Sequence, residues 1–230
     1  MTQRLSSYIN VDDQVIHLTM ALDKSFIKMW EGTEKSSGWS NPFKSKTPLK
    51  TRIVQSQYQL RSIISRLEVY INRLEERDRS LFERIVEALQ NNDKMRATMY
   101  ANEVAEIRRA AKSLLATQLA LEQVSLRLET ITEFGDVMVG LAPVIGVIKE
   151  LKGVIKGIMP ELAIELDQVG EGLQEVALAA GEFTGSSGVG FAASPEAKKI
   201  LEEATLIAEQ KMKEKFPSLP AGAVAMGNKL

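Results

Sequence analysis

Large aliphatic residues recur every seven positions in two consecutive stretches of the chain. The repeated residues are Ile53, Leu60, Leu67, Leu74 and Leu81 in the first stretch and Ile107, Leu114, Leu121 and Leu128 in the second. Such a repeat is typical of helices that pack lengthwise on one another. The polar residues Asn91-Asn92-Asp93 separate the stretches and favour a tight turn, with Asp93 capping the second helix. The pattern predicts an antiparallel helical hairpin over about residues 48–134, and Asp78 is the exception in its seam.

The segment before the hairpin has a different pattern. Apolar residues within positions 1–31 recur at intervals of three to four, which predicts one or two short amphipathic helices. Residues 32–47 are rich in Ser, Gly and Asn and predict a loop. Thr47 is the expected N-cap of the long helix, and Pro48 the expected first helical residue.

Shorter helices are predicted after the hairpin. Residues 137–182 carry apolar stripes at helical spacing with a break at Pro160, which predicts two shorter helices. The glycine- and serine-rich residues 181–194 are typical of a flexible linker. Ser194 and the proline after it predict the start of a charged helix that ends near Lys215.

Together these patterns predict an all-α fold, a long antiparallel helical hairpin with shorter C-terminal helices and a flexible tail. The helical core would span residues 45–182. Residues 1–44 would form an N-terminal amphipathic segment and loop, and residues 183–230 the linker, charged helix and proline-containing tail.

The composition removes most catalytic chemistry. The 230 residues include no cysteine and a single histidine, His17, so thiol nucleophiles, Cys-ligated metals and histidine clusters within one chain are excluded. Lys and Arg number 29 and Asp and Glu 30, which argues against a globally basic nucleic-acid-binding protein. No stretch approaches the roughly 20 apolar residues of a membrane span. We expect no enzyme activity, cofactor, metal or nucleic-acid partner, and a cytoplasmic protein with only peripheral membrane contact.

Basic and acidic residues are separated along the chain. Residues 41–67 contain six basic residues and no acid, whereas residues 160–182 contain six acids and no base. Two solvated helix faces would explain this pattern. Docking of the acidic helix on the basic one, within a chain or between neighbours, would explain it equally well.

The basic segment is also the candidate for contact with anionic lipid, because each basic residue contributes roughly 1 kcal/mol near such a surface. The candidate membrane-binding residues are Lys44, Lys46, Lys50, Arg52, Arg61 and Arg66. The amphipathic N-terminal segment would face the same bilayer.

A short proline-containing motif follows the charged helix. Phe216, Pro217, Leu219 and Pro220 combine apolar side chains with prolines that pre-set an extended backbone, which lowers the entropy lost when a peptide enters a groove. Composition alone favours the simpler interpretation, a helix stop followed by a disordered tail.

Several strings of the sequence resemble one known family. PLKTRIV (48–54), RLEERDRSLF (73–82), MYANEVAEIRR (99–109), LALEQVSLRLETITEFGDV (119–137) and IMPEL (158–162) resemble the archaeal ESCRT-III-like proteins of the Cdv cell-division system, the CdvB group. The likeness covers about residues 45–180. The chain ends ten residues after Pro220, so it resembles a shorter paralogue without the winged-helix-like extension of one archaeal member.

The resemblance implies a hairpin whose following helices fold back or swing out, and polymerisation into filaments that constrict and cut membranes in cell division or vesicle budding. It also implies remodelling by an AAA ATPase of the CdvC type, whose MIT domain binds a proline-containing motif matched by Phe216, Pro217, Leu219 and Pro220. The candidate autoinhibitory or polymer contact is made by Glu161, Glu165, Asp167, Glu171 and Glu175.

The expected partners are further copies of this chain, other ESCRT-III-like paralogues, the ATPase and the anionic membrane surface at a mid-cell division ring. The alternative is a static coiled-coil scaffold that binds proteins and never membranes.

Overall fold

The computed structural model describes residues 27–32, 47–134, 137–184 and 194–218. Its helices are α1, described over residues 27–31, α2 (Leu49–Gln90), α3 (Lys94–Phe134), α4 (Val137–Ile155), α5 (Pro160–Thr184) and α6 (Pro195–Lys215). Because these ranges contain helices and no strand, the all-α prediction is confirmed. No helix in the described ranges combines the length and the apolar character needed to cross a bilayer.

The two long helices form the predicted antiparallel hairpin. Helix α2 has 42 residues and α3 has 41, so each is roughly 60 Å long at ~1.5 Å per residue. The turn between them uses Asn92 in the left-handed region at φ 56°. Asp93 caps α3 by accepting a 3.0 Å hydrogen bond from the backbone N–H of Arg96. Local polar chemistry thus reverses the chain direction within three residues.

Most of the leucine-rich seam is buried between α2 and α3. Every seam residue named above is buried except Leu74, which is half-buried and contacts the apolar clusters on both sides of it. Burial of each such side chain contributes about 1.5–3 kcal/mol, so the hairpin is stabilised along most of its length.

Helices α4 and α5 pack on each other and on the hairpin. Helix α4 contacts α3, and α5 contacts α2, so their apolar stripes complete one continuous core. Gly140 allows the close approach of α4 to α3, because a Cβ atom there would lie 2.6 Å from Cγ1 of the buried Ile131.

Helix α6 packs against α3 and α4 rather than standing free. Its buried side is narrow and is formed by Ala197, Ile200, Ala204 and Ala208. The predicted cap is present, since the Ser194 hydroxyl accepts a 3.1 Å hydrogen bond from the Ala197 N–H. The sequence predicted this helix but not the surface on which it packs.

Three details differ from the sequence predictions. Helix α5 continues to Thr184, so residues 181–184, predicted as the start of the linker, are helical. Pro48, not Thr47, occupies the N-cap position of α2, and no side chain caps that helix end, so the prediction for Thr47 is wrong. The tail does not leave the hairpin directly after α6, because Phe216 is buried.

The predictions for residues 1–26, 33–46, 185–193 and 219–230 lie outside the described residues, and so do Lys44, Lys46, Leu219 and Pro220. Within the described part of the N-terminal segment, Trp30 of α1 is buried and belongs to the main hydrophobic core.

Candidate functional site

Two acidic residues of α5 meet two basic residues of α2. Arg52 forms an ion pair with Glu175, and Arg66 forms a forked pair with Glu165. The contact arises because α5 turns its apolar stripe toward the core and its neighbouring acidic face toward α2. The structure therefore places part of the acidic segment on part of the basic segment within one chain.

The pair between Arg66 and Glu165 shifts both titrations. The hydrogen bond from Arg66 lowers the pKa of Glu165 below its ordinary value, and the bond to Glu165 raises the pKa of Arg66, with a smaller Coulombic contribution from Glu161. The Arg66 and Glu165 side chains remain 43% and 41% exposed, so screening limits the pair to about 0–1 kcal/mol. The contact is thus specific in geometry and weak in energy.

The remaining candidate charges are distributed over other partners. Arg61 pairs with Glu129 of α3, and Asp167 pairs with Lys152 of α4 at 2.6 Å. Glu171 is exposed and lines a groove between α4 and α5, and Lys50 is half-buried at the start of α2. The four described candidates therefore do not form one free positive surface in this conformation, since three of them are ion-paired.

A buried ion pair interrupts the seam at Asp78. Both carboxylate oxygens of Asp78 accept hydrogen bonds from Arg108 of α3, at 2.7 Å and 2.9 Å. The Asp78 residue is 1% exposed. The Phe216 ring, 5% exposed, lies with its centroid 5.8 Å from the guanidinium carbon of Arg108. An aromatic ring over a partly desolvated cation is a favourable contact.

The contacts of α6 extend along the hairpin from this point. Lys215 pairs with Glu75 at 3.0 Å. Further along, Lys112 pairs with Glu209 at 2.7 Å, and the hydrogen bond from this lysine lowers the pKa of Glu209. This docking was not predicted from the sequence. The charged residue Asp78 at a seam position indicated a buried partner, which is Arg108, and Phe216 packs on that arginine.

Only the first part of the proline-containing motif lies within the described residues. Phe216 is packed on the hairpin, Pro217 is exposed, and the two remaining motif residues lie outside the described ranges. Among the residues that the structure describes, no group of three or more acidic or histidine side chains is placed to hold a metal ion.

The architecture defines a class before any comparison with known proteins. A long antiparallel hairpin with shorter helices folded onto it is an all-α, ESCRT-III-like fold. The chain is 58% identical over 214 residues to Cell division protein B1 of Sulfolobus acidocaldarius, which covers 93% of this chain and 98% of that protein.

Two further relatives from the same organism support the assignment. Cell division protein B is 37% identical over 177 residues, or 77% of this chain and 68% of its own length. Cell division protein B3 is 25% identical over 167 residues, or 73% of this chain and 96% of its own length. The chain belongs to the archaeal cell-division protein B family, the CdvB group. No protein-family profile matches it. No solved structure matches it either.

Proposed function

We propose that this chain is a filament subunit that polymerises at the inner face of the cytoplasmic membrane and drives constriction and scission in archaeal cell division. Its family membership supports the role in cell division. The observation that carries the mechanism is the pairing of Arg52 and Arg66 with Glu175 and Glu165, because the same cations are the candidates for lipid contact. Helix α5 and an anionic bilayer would then compete for one set of charges.

The energies of these contacts are compatible with a switch of α5 between two docking positions. Each exposed ion pair contributes about 0–1 kcal/mol, so exchanging the α5 carboxylates for lipid phosphates alters the total by little. The apolar stripe of α5, which includes Leu162, Leu166 and Leu173, must stay covered. Docking that stripe on a neighbouring copy would keep it buried, so one surface of α5 would serve both the closed chain and the polymer. A gap of a few kcal/mol between the two arrangements is sufficient.

The first experiment separates release of α5 from a general change of charge. Glu165→Arg places a cation against Arg66 and should increase co-sedimentation with anionic liposomes. Glu171→Arg changes the charge of the same helix by the same amount at an exposed position without an ion pair among the described residues. Equal gains from both variants would show that bulk charge, not release of α5, controls binding.

The second experiment removes the lipid-binding charge. Reversing Lys44, Lys46, Lys50 and Arg52 to Glu should abolish co-sedimentation with anionic liposomes. Unchanged co-sedimentation would discard the membrane assignment for this segment.

The tail is the proposed binding site for an AAA ATPase with an MIT domain. Substituting Pro217 and Pro220 should remove the ATPase from a pulldown with the full chain. Retention of the ATPase at the level of the unmodified protein would show that these prolines are not needed for ATPase binding and would refute the proposed site.

A static scaffold is the second candidate, and the existing ion pairs of Arg52, Arg61 and Arg66 favour it in the conformation described. Negative-stain images with and without liposomes separate the two candidates. Filaments that coat and deform liposomes support membrane remodelling, and identical particles in both samples support the scaffold.

A further inference from the structure

The solvent-facing side of α2 carries an unusual row of uncharged residues. Seven exposed positions, spaced alternately by four and three, form it: Thr51, Gln55, Tyr58, Ser62, Ser65, Val69 and Asn72. We call this row the neutral stripe. It lies opposite the buried seam of the helix, so these side chains point directly away from the core. Tyr58 is 71% exposed and Val69 is 48% exposed.

The rest of the same helix provides an internal comparison. Beyond residue 72 the continuation of this face carries the exposed acids Glu76, Glu83 and Glu87, as expected for a solvated helix surface. The neutral stripe has no charge over about three helical heptads, roughly 30 Å at ~1.5 Å per residue. Exposed Leu126 of α3 shares a shallow depression with Ser65 and Ile64 at the edge of the stripe and extends its apolar area.

The central six residues of the stripe have a symmetric order of chemical types. Gln55 and Asn72 are amides at the ends, Tyr58 and Val69 are apolar, and the two residues between them, at 62 and 65, are serines. Two antiparallel copies of this helix, related by a two-fold axis midway between the serines, would place each residue opposite one of the same type. A two-fold contact requires such a self-complementary surface.

The charges beside the stripe fit the same arrangement. Arg61 and Glu68 line the edge next to α3, on either side of the proposed axis. The two-fold axis brings this edge against the same edge of the partner and sets Glu68 within about two residues, ~3 Å along the helix, of the partner's Arg61. Opposite charges would therefore meet twice, once on each side of the axis, with each Arg61 also facing Glu129 of its own chain, with which it forms an ion pair.

We propose that the neutral stripe is an interface at which a second copy of this chain packs antiparallel, forming a two-fold dimer of hairpins. The contact uses the face of α2 opposite the core. It therefore leaves α4, α5 and α6 in place and needs no opening of the chain, no lipid and no ATPase. The inference is accordingly independent of the membrane function proposed above.

The first test places like charges at the axis. In the variant with Ser62→Glu and Ser65→Glu, four carboxylates would meet in the dimer, and like charges across an interface cost several kcal/mol. Sedimentation velocity of the full chain should show a dissociation constant raised at least about tenfold. Ser80→Glu is the matched control, since Ser80 is exposed on the charged part of the same face. A monomeric unmodified chain, or equal effects from Ser62→Glu/Ser65→Glu and the control, would overturn the proposal.

The second test determines whether the two chains pack antiparallel. Because the sequence contains no cysteine, each introduced cysteine is the only thiol in its chain. Gln55→Cys and Asn72→Cys chains, mixed and treated with a short bis-maleimide, should give a covalent dimer containing one chain of each kind. Each variant alone should give little dimer, because identical positions lie far apart across an antiparallel contact. Efficient cross-linking of either variant with itself would indicate parallel packing and overturn the two-fold arrangement, as would no cross-link in the mixture.

Discussion

Removing one partner of the buried pair between Asp78 and Arg108 should destabilise the hairpin more than any exposed charge substitution. The Asp78 side chain is 2% exposed, and that of Arg108 is 19% exposed. Breaking a buried pair by removing one member typically costs about 3–5 kcal/mol, because the remaining charge loses both water and partner. This is a large fraction of the roughly 5–15 kcal/mol that separates folded from unfolded domains.

The two single variants should differ in a defined order. Arg108→Leu leaves a carboxylate that cannot reach water, so we expect the larger loss, about 4–5 kcal/mol. Asp78→Leu restores an aliphatic residue to the seam and leaves an arginine whose long side chain can turn toward solvent, so we expect about 3 kcal/mol or less. The double variant places two aliphatic residues in contact and should lie within about 2 kcal/mol of the unmodified protein, since buried pairs are often replaceable by apolar ones.

Guanidinium unfolding of the four proteins, followed by far-ultraviolet circular dichroism, gives the double-mutant cycle directly, provided the slope with denaturant is the same for each. Arg77 and Glu103 form an exposed pair between the same helices, and their replacement by Leu should change the free energy of unfolding by about 1 kcal/mol or less. If the double variant loses the sum of the two single losses, the pair is not coupled and the reasoning is wrong.

Three further predictions concern the docked helices. Phe216→Ala should loosen the C-terminal end of α6 and speed its cleavage by trypsin, because removal of the ring, which is 5% exposed, uncovers the Arg108 guanidinium beneath it. An unchanged cleavage rate would contradict this. Gly140→Ala should weaken the docking of α4 by about 1–3 kcal/mol through its clash with Ile131, whereas Gly153→Ala, with open space around it, should stabilise the protein by up to about 1 kcal/mol. Acidification should weaken the docking of α5 slightly, because the pair of Glu165 with Arg66 contributes only about 0–1 kcal/mol. The lowered pKa of Glu165 means that its contribution is complete above its ordinary value of 4.5 and is lost as pH falls through the lowered value, so amide exchange in α5 should rise relative to α3 at strongly acidic pH.

The hairpin was predictable because the residues that specify it lie close together in the sequence and recur at a fixed spacing. A heptad of aliphatic residues selects a long helix with one apolar face, and the Asn-Asn-Asp turn has only a few backbone solutions. The same holds for the Ser194 cap of α6, where one side chain satisfies one backbone donor. The start of α2 was placed one residue early, since a proline can stand on either side of a helix boundary.

The candidate site was predictable only as two charged segments. The sequence indicated that residues 160–182 carry acids and residues 41–67 carry bases, but it left open whether these faces meet water or each other. Which acid meets which base depends on the packing angle of α5 against α2, and that angle follows from the shapes of side chains distant in the chain. Asp167 shows the consequence, because it pairs with Lys152 of α4 rather than with α2.

The amino-acid sequence by itself determined the helices, the hairpin, the absence of thiol chemistry and the family, because each depends on residue types at fixed spacing along one chain. The tertiary structure alone decided where α6 docks, that Phe216 covers the buried Asp78–Arg108 pair, and which cations are already neutralised. Those outcomes depend on contacts between residues far apart in sequence. Each contact is worth only a few kcal/mol, so the packing of the whole core selects among them.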